Sequence, residues 1–265
     1  RATTTYAIGE GIHLERIGQV DFPHSLGLLY EKVTEHLGFL HSADEYKVMA
    51  LASFGEPRYL DRFREVVRLQ GDGNYTVAPL CLEAWFGPAR RRGEPLEQRH
   101  YDLARSLQAV LEETVLALAR WLHEATGADD LCLAGGVALN CVLNARLRDH
   151  GPFRRIWVQP AAGDAGTALG AALWVDARER GAGERVWRMD HAFLGPEFGD
   201  GEVAAFLDGA KLPYRRMDDV AGEVADLLAG GKIVGWFQGR MEFGPRALGA
   251  RSILASPLDP EMQTR

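Results

Sequence analysis

The sequence predicts a mixed α/β protein, and three observations lead to this fold class. Short apolar runs of strand-like length alternate with segments whose apolar residues recur at helical spacing. A strand at 131–134 leads through two glycines into a helical pattern at 137–147. A second strand, at 154–158, leads through a glycine-containing loop into an alanine-rich helix at 167–180. This alternation is typical of an α/β layout in which helices cover both faces of a sheet.

The rest of the chain also divides into strands and helices. Near the start, two strands are expected at 6–9 and 12–20, on either side of a glycine-rich turn. Four helices are expected before the glycine pair. The first has an apolar stripe from Leu26 to Leu37, and the second begins at a capping box from Ser42 to Glu45. The third begins at Pro57, and the fourth is a long helix over 99–126 that ends at Gly127. Further on, two short helices over 202–207 and 220–228 precede a strand at 233–237.

Composition favours a folded protein that lies outside the membrane. The chain has 265 residues, 46% of them hydrophobic, and a mean hydropathy of −0.17, which suits one large domain or two modest ones. No apolar run approaches the roughly 18–20 residues that span a bilayer. The formal net charge of −7 argues against a nucleic-acid partner. We therefore expect neither membrane association nor nucleic-acid binding.

The ends of the chain and its cysteines suggest its context. The chain starts at Arg1 without methionine and stops at Arg265 in a loop-like segment, so it is expected to be an internal fragment of a longer protein. Its start has no basic-then-apolar leader, and its three cysteines lack metal-binding spacing. Cys132 and Cys141 flank the glycine pair and are expected to be buried small apolar residues. A reducing, cytoplasmic location fits these features.

The pair Gly135 and Gly136, between a strand and a helix, is the first candidate site. Glycines let the backbone approach a ligand and adopt positive φ. The start of the following helix offers free N–H groups and the positive end of its dipole, which together suit an anion or a nucleotide phosphate. Asn140 and Asn144, one helical turn apart, would present both amides on one face. The alternative, and the commoner use of such a pair, is a tight strand–helix turn in an ordinary α/β core.

Asp164 lies between glycines at the mouth of the helix over 167–180, and two roles are open to it. Its carboxylate can cap that helix, which is the more frequent role. It can instead bind a metal ion, since a helix N-terminus favours the charged form of the carboxylate. One aspartate does not hold a metal alone, and His24, His36 and His41 do not form a convincing pair of partners.

Four charged residues on the first two helices are also open to two interpretations. Glu31 and Lys32 belong to the first helix, and Glu45 and Lys47 to the second. Surface charge is the usual role of such residues. Near a nucleotide, however, a carboxylate can accept hydrogen bonds from ribose hydroxyls, and a lysine can bind phosphate as a point charge.

The segment over 239–252 is harder to explain as an ordinary surface loop. It contains three arginines, three glycines, a glutamate and a serine in fourteen residues. Arginine presents a planar fork of donors that matches phosphate or carboxylate oxygens. The glycines let the loop fold back, so that several guanidinium groups can converge. A phosphate or carboxylate site is therefore favoured over a solvated loop.

Five motifs occur in a fixed order along the chain, at 23–30, 44–49, 135–140, 163–166 and 238–249. They read PHSLGLLY, DEYKVM, GGVALN, GDAG and QGRMEFGPRALG. Together they resemble the O-carbamoyltransferase family, of the nodulation-protein-U and cephamycin type, which acts in antibiotic and nodulation-factor biosynthesis. The resemblance covers nearly the whole chain, and the last motif is highly specific.

The resemblance implies two domains. Residues 1–188 would form the C-terminal half of an actin-like ATPase domain, similar to that of tRNA threonylcarbamoyl-transferring proteins and lacking its N-terminal part. Residues 189–265 would begin an α/β domain that forms carbamoyl-type adenylates, cut short at its end. On this interpretation the fragment holds about half of each site and is inactive alone, so carbamoyl transfer by the isolated chain would contradict it.

The resemblance also implies a two-step reaction. Carbamoyl phosphate and ATP give carbamoyl adenylate and pyrophosphate, and the carbamoyl group then passes to a hydroxyl of a small molecule. Fe²⁺ in the first domain, with Mg²⁺ as the alternative, would bind the nucleotide and polarise the carbamoyl carbonyl. The family's other metal ligands, two histidines and an aspartate, would lie upstream of Arg1. By position in the motifs, Asp164 would bind the metal ion. Gly135, Gly136 and Asn140 would bind the nucleotide, with Glu31, Glu45 and Lys47 as weaker candidates. Arg240 and Arg246 would be the catalytic residues that bind carbamoyl phosphate or the adenylate, with Ser252 as a weaker candidate.

Two other functions remain compatible with parts of the chain. A tRNA threonylcarbamoylation-type ATP enzyme shares the glycine-pair turn, but that group lacks the arginine-rich segment within one chain. A non-catalytic nucleotide-binding module on the same fold would need no carbamoyl-phosphate site. The sequence does not identify the hydroxyl acceptor, and it leaves the oligomeric state open, with a homodimer as one option.

Overall fold

Two structural units share the chain, unit 1 at Arg1–Glu184 and unit 2 at Arg185–Arg265. The structure is a computed structural model and describes residues 1–181, 187–263 and 265. The domain boundary expected after residue 188 stays a prediction. Among the described residues, no helix has both the length and the apolar character that a bilayer crossing requires.

In the described part of unit 1, the strands pair two by two and do not join into one sheet. The pairs are β1 (Ala2–Glu10) with β2 (His13–Asp21), β3 (Val67–Gly71) with β4 (Asn74–Val77), and β5 (Asp130–Leu133) with β6 (Arg155–Val158). The first two pairs are antiparallel hairpins, and the third is parallel. The mixed α/β class is confirmed, but the expected helices on both faces of one sheet are not found in these residues.

A long helix, rather than a sheet, forms the centre of the core of unit 1. The helices of this unit are, in chain order, α1 (Leu26–His36), α2 (Glu45–Leu51), α3 (Leu60–Val66), α4 (Leu82–Phe86), α5 (Gln98–Thr126), α6 (Cys141–His150) and α7 (Thr167–Arg180). Helix α5 contacts α1, α2, α3, α6 and β3. Its buried Leu107 and Leu111 belong to the same apolar cluster as Leu29 and Val33 of α1. Gly127 ends α5 in the left-handed conformation with φ 63°, as its sequence position predicted.

The helix expected to begin at Ser42 begins at Glu45, with Asp44 as its N-cap residue. Ser42 has a φ of 57°, whereas an N-cap serine normally needs an extended backbone to aim its hydroxyl at the first turn. Half of the capping box survives, because the Ser42 N–H donates to Glu45 Oε1 over 2.6 Å. The capping prediction is therefore wrong for Ser42 and correct for Glu45.

The helix expected to begin at Pro57 begins at Leu60. Helix α5 holds the preceding backbone: Asp102 Oδ1 accepts from the Glu56 N–H at 2.9 Å, and Ser106 Oγ accepts from the Tyr59 N–H at 2.9 Å. A Cβ added at Gly55 would lie only 2.0 Å from the carbonyl oxygen of Tyr101. These long-range contacts bind the segment before α3 to α5, and the helix starts only after them.

Two predictions of burial are wrong. Cys132 and Cys141 are exposed. Side chains alternate along a strand, so the burial of Leu131 in β5 directs the neighbouring Cys132 outward. Helix α7 has the predicted bounds, but none of its residues, all of which the structure describes, is buried. It therefore covers no sheet face within the described residues.

Unit 2 contains the helices α8 (Asp200–Gly209) and α9 (Val220–Ala229) and the antiparallel strands β7 (Val234–Phe237) and β8 (Arg251–Leu254). The two predicted helices and the first strand are confirmed. Asp219 caps α9 by accepting from the Gly222 N–H at 2.9 Å. Strand β8 was not predicted, because its first two residues, Arg251 and Ser252, belong to the arginine- and glycine-rich segment that was expected to be a loop. That segment is thus the connection between two paired strands.

Candidate functional site

The two loops that follow β5 and β6 lie together. Because these strands are parallel, their carboxyl ends meet at the same edge. The Gly135 N–H after β5 donates to the Ala162 carbonyl after β6 over 2.7 Å. Gly163 lies against the side chain of Leu139. The structure therefore joins the glycine-pair loop to the loop that carries Asp164.

The backbone at Gly135 requires glycine, and space is open beside it. Gly135 has φ 102° and ψ 165°, a conformation that side chains disfavour. A Cβ added at Gly135 or at Gly136 would meet no atom within 4 Å. The glycines are thus not required by close packing. They leave room over the backbone, as a phosphate-binding turn does.

The helical pattern expected over 137–147 is divided in two by Asn140. A short 3₁₀ turn, Gly136–Leu139, comes first, and α6 begins at Cys141 with Asn140 as its N-cap residue. Asn140 Oδ1 accepts from the Leu143 N–H at 2.9 Å. Its side chain therefore supports the start of α6 immediately behind the glycine turn.

Asn140 also forms a buried amide pair with Gln108 of α5. Asn140 Nδ2 donates to Gln108 Oε1 at 2.8 Å, and Gln108 Nε2 donates back to Asn140 Oδ1 at 3.2 Å. Both residues are buried, with exposures of 9% and 1%. The oxygen and the nitrogen of the Asn140 side-chain amide thus both have hydrogen-bond partners within the protein. The predicted role of Asn140 in nucleotide binding stays a prediction.

The amide pair extends into a larger polar network. The Tyr30 hydroxyl donates to Gln108 Oε1 at 3.1 Å, Gln108 Nε2 donates to Glu112 Oε1 at 3.0 Å, and Arg146 Nε donates to Glu112 Oε2 at 3.2 Å. Burial, followed by the negative charges of Glu112 and Glu45, raises the pKa of the Tyr30 hydroxyl. The network links α1, α5 and α6 directly behind the glycine turn.

Gln108 and Glu112 were missed in the sequence analysis. They are polar residues four apart on α5, flanked by the buried apolar positions Leu107 and Leu111. A polar pair within an apolar helix face is a usable signal, because buried polar groups are normally hydrogen-bonded. The partner of Gln108 is 32 residues away along the chain, so the signal indicates that a network exists but not where it leads.

The charged candidates on α1 and α2 have mostly local contacts. Glu45 accepts a hydrogen bond from the Ser42 N–H. Its negative charge also helps to raise the pKa of the Tyr30 hydroxyl. Lys47 forms a salt bridge with Asp44 at 2.8 Å, and this hydrogen bond raises the pKa of the lysine. Glu31 lies beside Tyr30 in α1 and is half-buried. Their roles toward a nucleotide stay predictions.

Asp164 is exposed and does not cap α7. It begins a short 3₁₀ turn, Asp164–Gly166, and the N-cap residue of α7 is Gly166, without a side-chain cap bond. Among the described residues, no group of three or more His, Cys, Asp or Glu side chains is placed to hold a metal ion. Since Fe²⁺ and Mg²⁺ need several ligands, these residues do not by themselves fit a metal site.

The loop between β7 and β8 is closed by one buried carboxylate. Glu242 Oε1 accepts from the N–H groups of Leu248 at 2.7 Å and Ala250 at 2.8 Å, and Glu242 Oε2 accepts from Arg251 Nε at 2.7 Å. We call Glu242 with these three partners the carboxylate clamp. It ties the beginning of the loop to its end.

A second set of contacts fixes the loop to the segment at 192–196. Backbone bonds join Met241 to Gly195 and Pro196, each over 2.9 Å, and Phe243 to Ala192 over 2.6 Å. Arg240 Nε donates to the Gly195 carbonyl at 3.2 Å. The first part of the loop, residues 240–243, is thus held against this segment by three main-chain bonds and one arginine side chain.

The three arginines of the loop differ in their surroundings. Arg240 and Arg246 are exposed, whereas Arg251 is half-buried and bonded to Glu242. Ser252, next in β8, lines a shallow depression of about 650 Å³ together with Arg251, Trp236, Phe237 and Ala247, among others. The expected convergence of guanidinium groups therefore does not include Arg251 as a free ligand-binding group.

A glycine turn at the ends of parallel strands and an exposed pair of arginines define an α/β protein with features suited to phosphate groups. Comparison with known families identifies the class further. The family model described as carbamoyltransferase N-terminus matches residues 1–173, and the one described as carbamoyltransferase C-terminus matches residues 225–265. The chain belongs to the carbamoyltransferase family.

Individual relatives agree with this assignment. The chain is 44% identical to nodulation protein NolO of Bradyrhizobium diazoefficiens, over 98% of the chain and 48% of the relative. It is 42% identical to nodulation protein NolNO of Sinorhizobium fredii, over 97% and 38%, and 45% identical to an uncharacterised Synechocystis protein, over 99% and 46%. The O-carbamoyltransferase resemblance is thereby confirmed. The chain spans about half the length, or less, of these relatives.

Proposed function

We propose that the protein is an O-carbamoyltransferase that uses carbamoyl phosphate and ATP to carbamoylate a hydroxyl group of a small-molecule natural product. One observation carries the proposal: in a chain of this family, the loop between β7 and β8 is closed by hydrogen bonds to Glu242, and Arg240 and Arg246 on it are exposed. Two guanidinium groups on one ordered loop suit a small doubly charged anion.

The reaction has two steps. In the first, carbamoyl phosphate, ATP and one water give carbamoyl adenylate, pyrophosphate and inorganic phosphate. In the second, the acceptor hydroxyl attacks the carbamoyl carbon, the bond to the AMP phosphate breaks, and a carbamate ester and AMP result. The first step concentrates negative charge on phosphate oxygens, which cationic donors stabilise when they are already in place.

The chain's own residues would contribute as follows. Arg240 and Arg246 bind carbamoyl phosphate or the adenylate and offset its charge, with Ser252 as an additional donor. The backbone at Gly135 and Gly136 receives the nucleotide phosphates, and the amide pair fixes this turn. Asp164 would serve as one ligand of an Fe²⁺ or Mg²⁺ ion only together with groups beyond the described residues, so no step is assigned to a metal.

The wider context extends the same proposal. Residues 1–188 would belong to an actin-like ATPase domain, and 189–265 to the domain that forms the adenylate. The enzyme would act in the cytoplasm on a small-molecule hydroxyl acceptor, either alone or as a homodimer.

Carbamoyl-phosphate-dependent ATP–pyrophosphate exchange by the full-length protein tests the proposal. Replacing both arginines (Arg240→Ala with Arg246→Ala) should lower the exchange rate by roughly 100-fold or more, the size expected when preplaced charged donors are lost. Arg216→Ala is the matched control, because Arg216 is an exposed arginine of unit 2 that pairs with Asp200. Exchange that survives the double change would reject the roles assigned to Arg240 and Arg246. ATP binding without any carbamoyl-phosphate-dependent exchange by the unchanged protein would instead favour a non-catalytic nucleotide-binding module.

A further inference from the structure

Glu242 is an unusual residue to find inside a small unit. Its side chain is 0% exposed. Besides the three bonds of the carboxylate clamp, Glu242 Oε1 lies 3.3 Å from the Arg251 N–H, and Arg251 Nη2 donates to the Glu242 carbonyl at 3.1 Å. A buried carboxylate is tolerated only when donors replace the water it has lost. Here three backbone N–H groups approach Oε1 and the Arg251 guanidinium donates to Oε2.

The donors keep Glu242 ionised. Burial alone would raise the pKa of this carboxyl, but the hydrogen bonds from the Leu248 N–H, from Arg251 and from the Ala250 N–H lower it to about 2. At neutral pH the side chain is therefore a carboxylate with occupied oxygens. The side chain is shielded from solvent and has no proton to give at neutral pH, so neither general-base nor general-acid chemistry suits it.

The clamp controls the position of Arg246. Glu242 lies at one end of the segment and its partners lie at the other, so Arg246 falls in the middle of a closed loop. Gly244 and Gly249, with φ 119° and 107°, make the bends on either side of Arg246. A loop with two such bends would sample many conformations if it were open. Closing it in advance lowers the entropy cost of placing the arginine on an anion.

We propose that Glu242 is a positioning residue that presets the arginine loop for carbamoyl phosphate, with Arg251 as its charge partner rather than as a ligand-binding arginine. The inference rests on the proposed function of Arg240 and Arg246. A buried ion pair contributes little net stability compared with apolar packing. The function of the clamp is therefore to fix one loop geometry.

The test is Glu242→Gln in the full-length protein, because glutamine keeps the size but loses the charge and replaces one acceptor with a donor. The KM for carbamoyl phosphate should rise at least tenfold, while the KM for ATP changes less than threefold. Limited trypsin cleavage after Arg246 should become faster. Glu202→Gln is the control: Glu202 is exposed and accepts from the Gly199 N–H at 2.9 Å, so its loss should change neither readout.

The outcomes separate the inference from the proposed function. Faster cleavage with a raised KM for carbamoyl phosphate supports both. Faster cleavage with an unchanged KM would show that the clamp orders the loop but that the loop does not bind carbamoyl phosphate. This outcome overturns the inference and the binding roles of Arg240 and Arg246, whereas the absence of carbamoyl-phosphate-dependent exchange in the unchanged protein would overturn the proposed function. Unchanged cleavage and unchanged KM overturn the inference alone.

If Glu242→Gln does not fold, Arg251→Lys is the second test. Lysine keeps the positive charge but cannot make both arginine contacts, from Nε to Glu242 Oε2 and from Nη2 to the Glu242 carbonyl. A KM for carbamoyl phosphate within twofold of normal would reject the clamp.

Discussion

The glycine turn of unit 1 and the arginine loop of unit 2 are each supported by hydrogen bonds to buried polar side chains. These side chains are uncharged in unit 1 and ionised in unit 2. In unit 1, Gln108 and Asn140 exchange two uncharged hydrogen bonds. In unit 2, the ionised Glu242 gathers backbone N–H groups and a guanidinium. The amide pair fixes a helix start, and the carboxylate clamp closes a flexible connection. Neutral and ionic supports should therefore fail under different conditions.

The largest effect on stability is expected when one member of the amide pair is removed. Gln108→Leu removes the acceptor that Gln108 offers to Asn140 Nδ2 and to the Tyr30 hydroxyl, and the donor that it offers to the buried Glu112. The loss of these buried hydrogen bonds should lower the free energy of unfolding by about 2–4 kcal/mol. Urea-induced unfolding followed by circular dichroism measures the change. Gln70→Leu, at an exposed position of β3, serves as the control and should stay within about 0.5 kcal/mol. A loss below about 1 kcal/mol at Gln108 would show that the pair is dispensable.

Smaller effects are expected from alanine at the two glycines. Gly135→Ala tests whether the backbone conformation needs glycine, and Gly136→Ala tests whether the open space beside the backbone receives a ligand. Gly135→Ala should lower stability by about 1–2 kcal/mol, because φ 102° strains any side chain although no atom blocks its Cβ. Gly136→Ala, without positive φ, should change stability by less than about 0.5 kcal/mol. It should nevertheless weaken ATP binding roughly tenfold, or about 1.4 kcal/mol, as measured by calorimetry. Unchanged ATP affinity in Gly136→Ala would place the nucleotide elsewhere.

The smallest expected effect is on the acid sensitivity of folding, because only one of the two supports can be protonated between neutral pH and pH 2. The pKa of Glu242 is lowered to about 2 from an ordinary value of 4.5. Its contribution to stability is therefore complete above pH 4.5 and disappears as the pH falls toward 2. The amide pair has no proton to gain over this range. Unfolding measured from neutral pH to pH 2 should lose part of its acid sensitivity in Glu242→Gln, whereas Gln108→Leu should keep it. Parallel pH curves for the wild type and Glu242→Gln would contradict this assignment.

Local patterns predicted the helices well where contacts are local. The bounds of α5 follow from apolar spacing and from Gly127, and those of α7 from an alanine-rich stretch that follows the loop ending at Gly166. The structure has both helices where they were expected. The same reasoning failed at Pro57 because the bonds that delay α3 come from residues 46 and 47 positions away. Sequence patterns within one turn contain no information about such partners.

The candidate site was predictable in its outline and not in its supports. Glycines and arginines are recognisable because few structural roles require them in such numbers. Gln108 was not recognised because its partner lies on another element, and Glu242 was noted only as part of the arginine segment. The inward direction of the Glu242 side chain follows from the folded loop, which no spacing rule describes. Sequence thus reveals groups that suit a ligand more readily than groups that hold them in place.

The capture of the 55–59 segment by α5 has a consequence for the order in which the molecule folds. The amide hydrogens of Glu56 and Tyr59 are held by the Asp102 and Ser106 side chains, not by a neighbouring turn. They become protected from solvent exchange only when α5 has formed and docked. Because contacts between residues so far apart in sequence close slowly, these two amides should gain protection later than those within α5. Pulse-labelling hydrogen exchange at Glu56 and Tyr59 would therefore time the docking of the central helix.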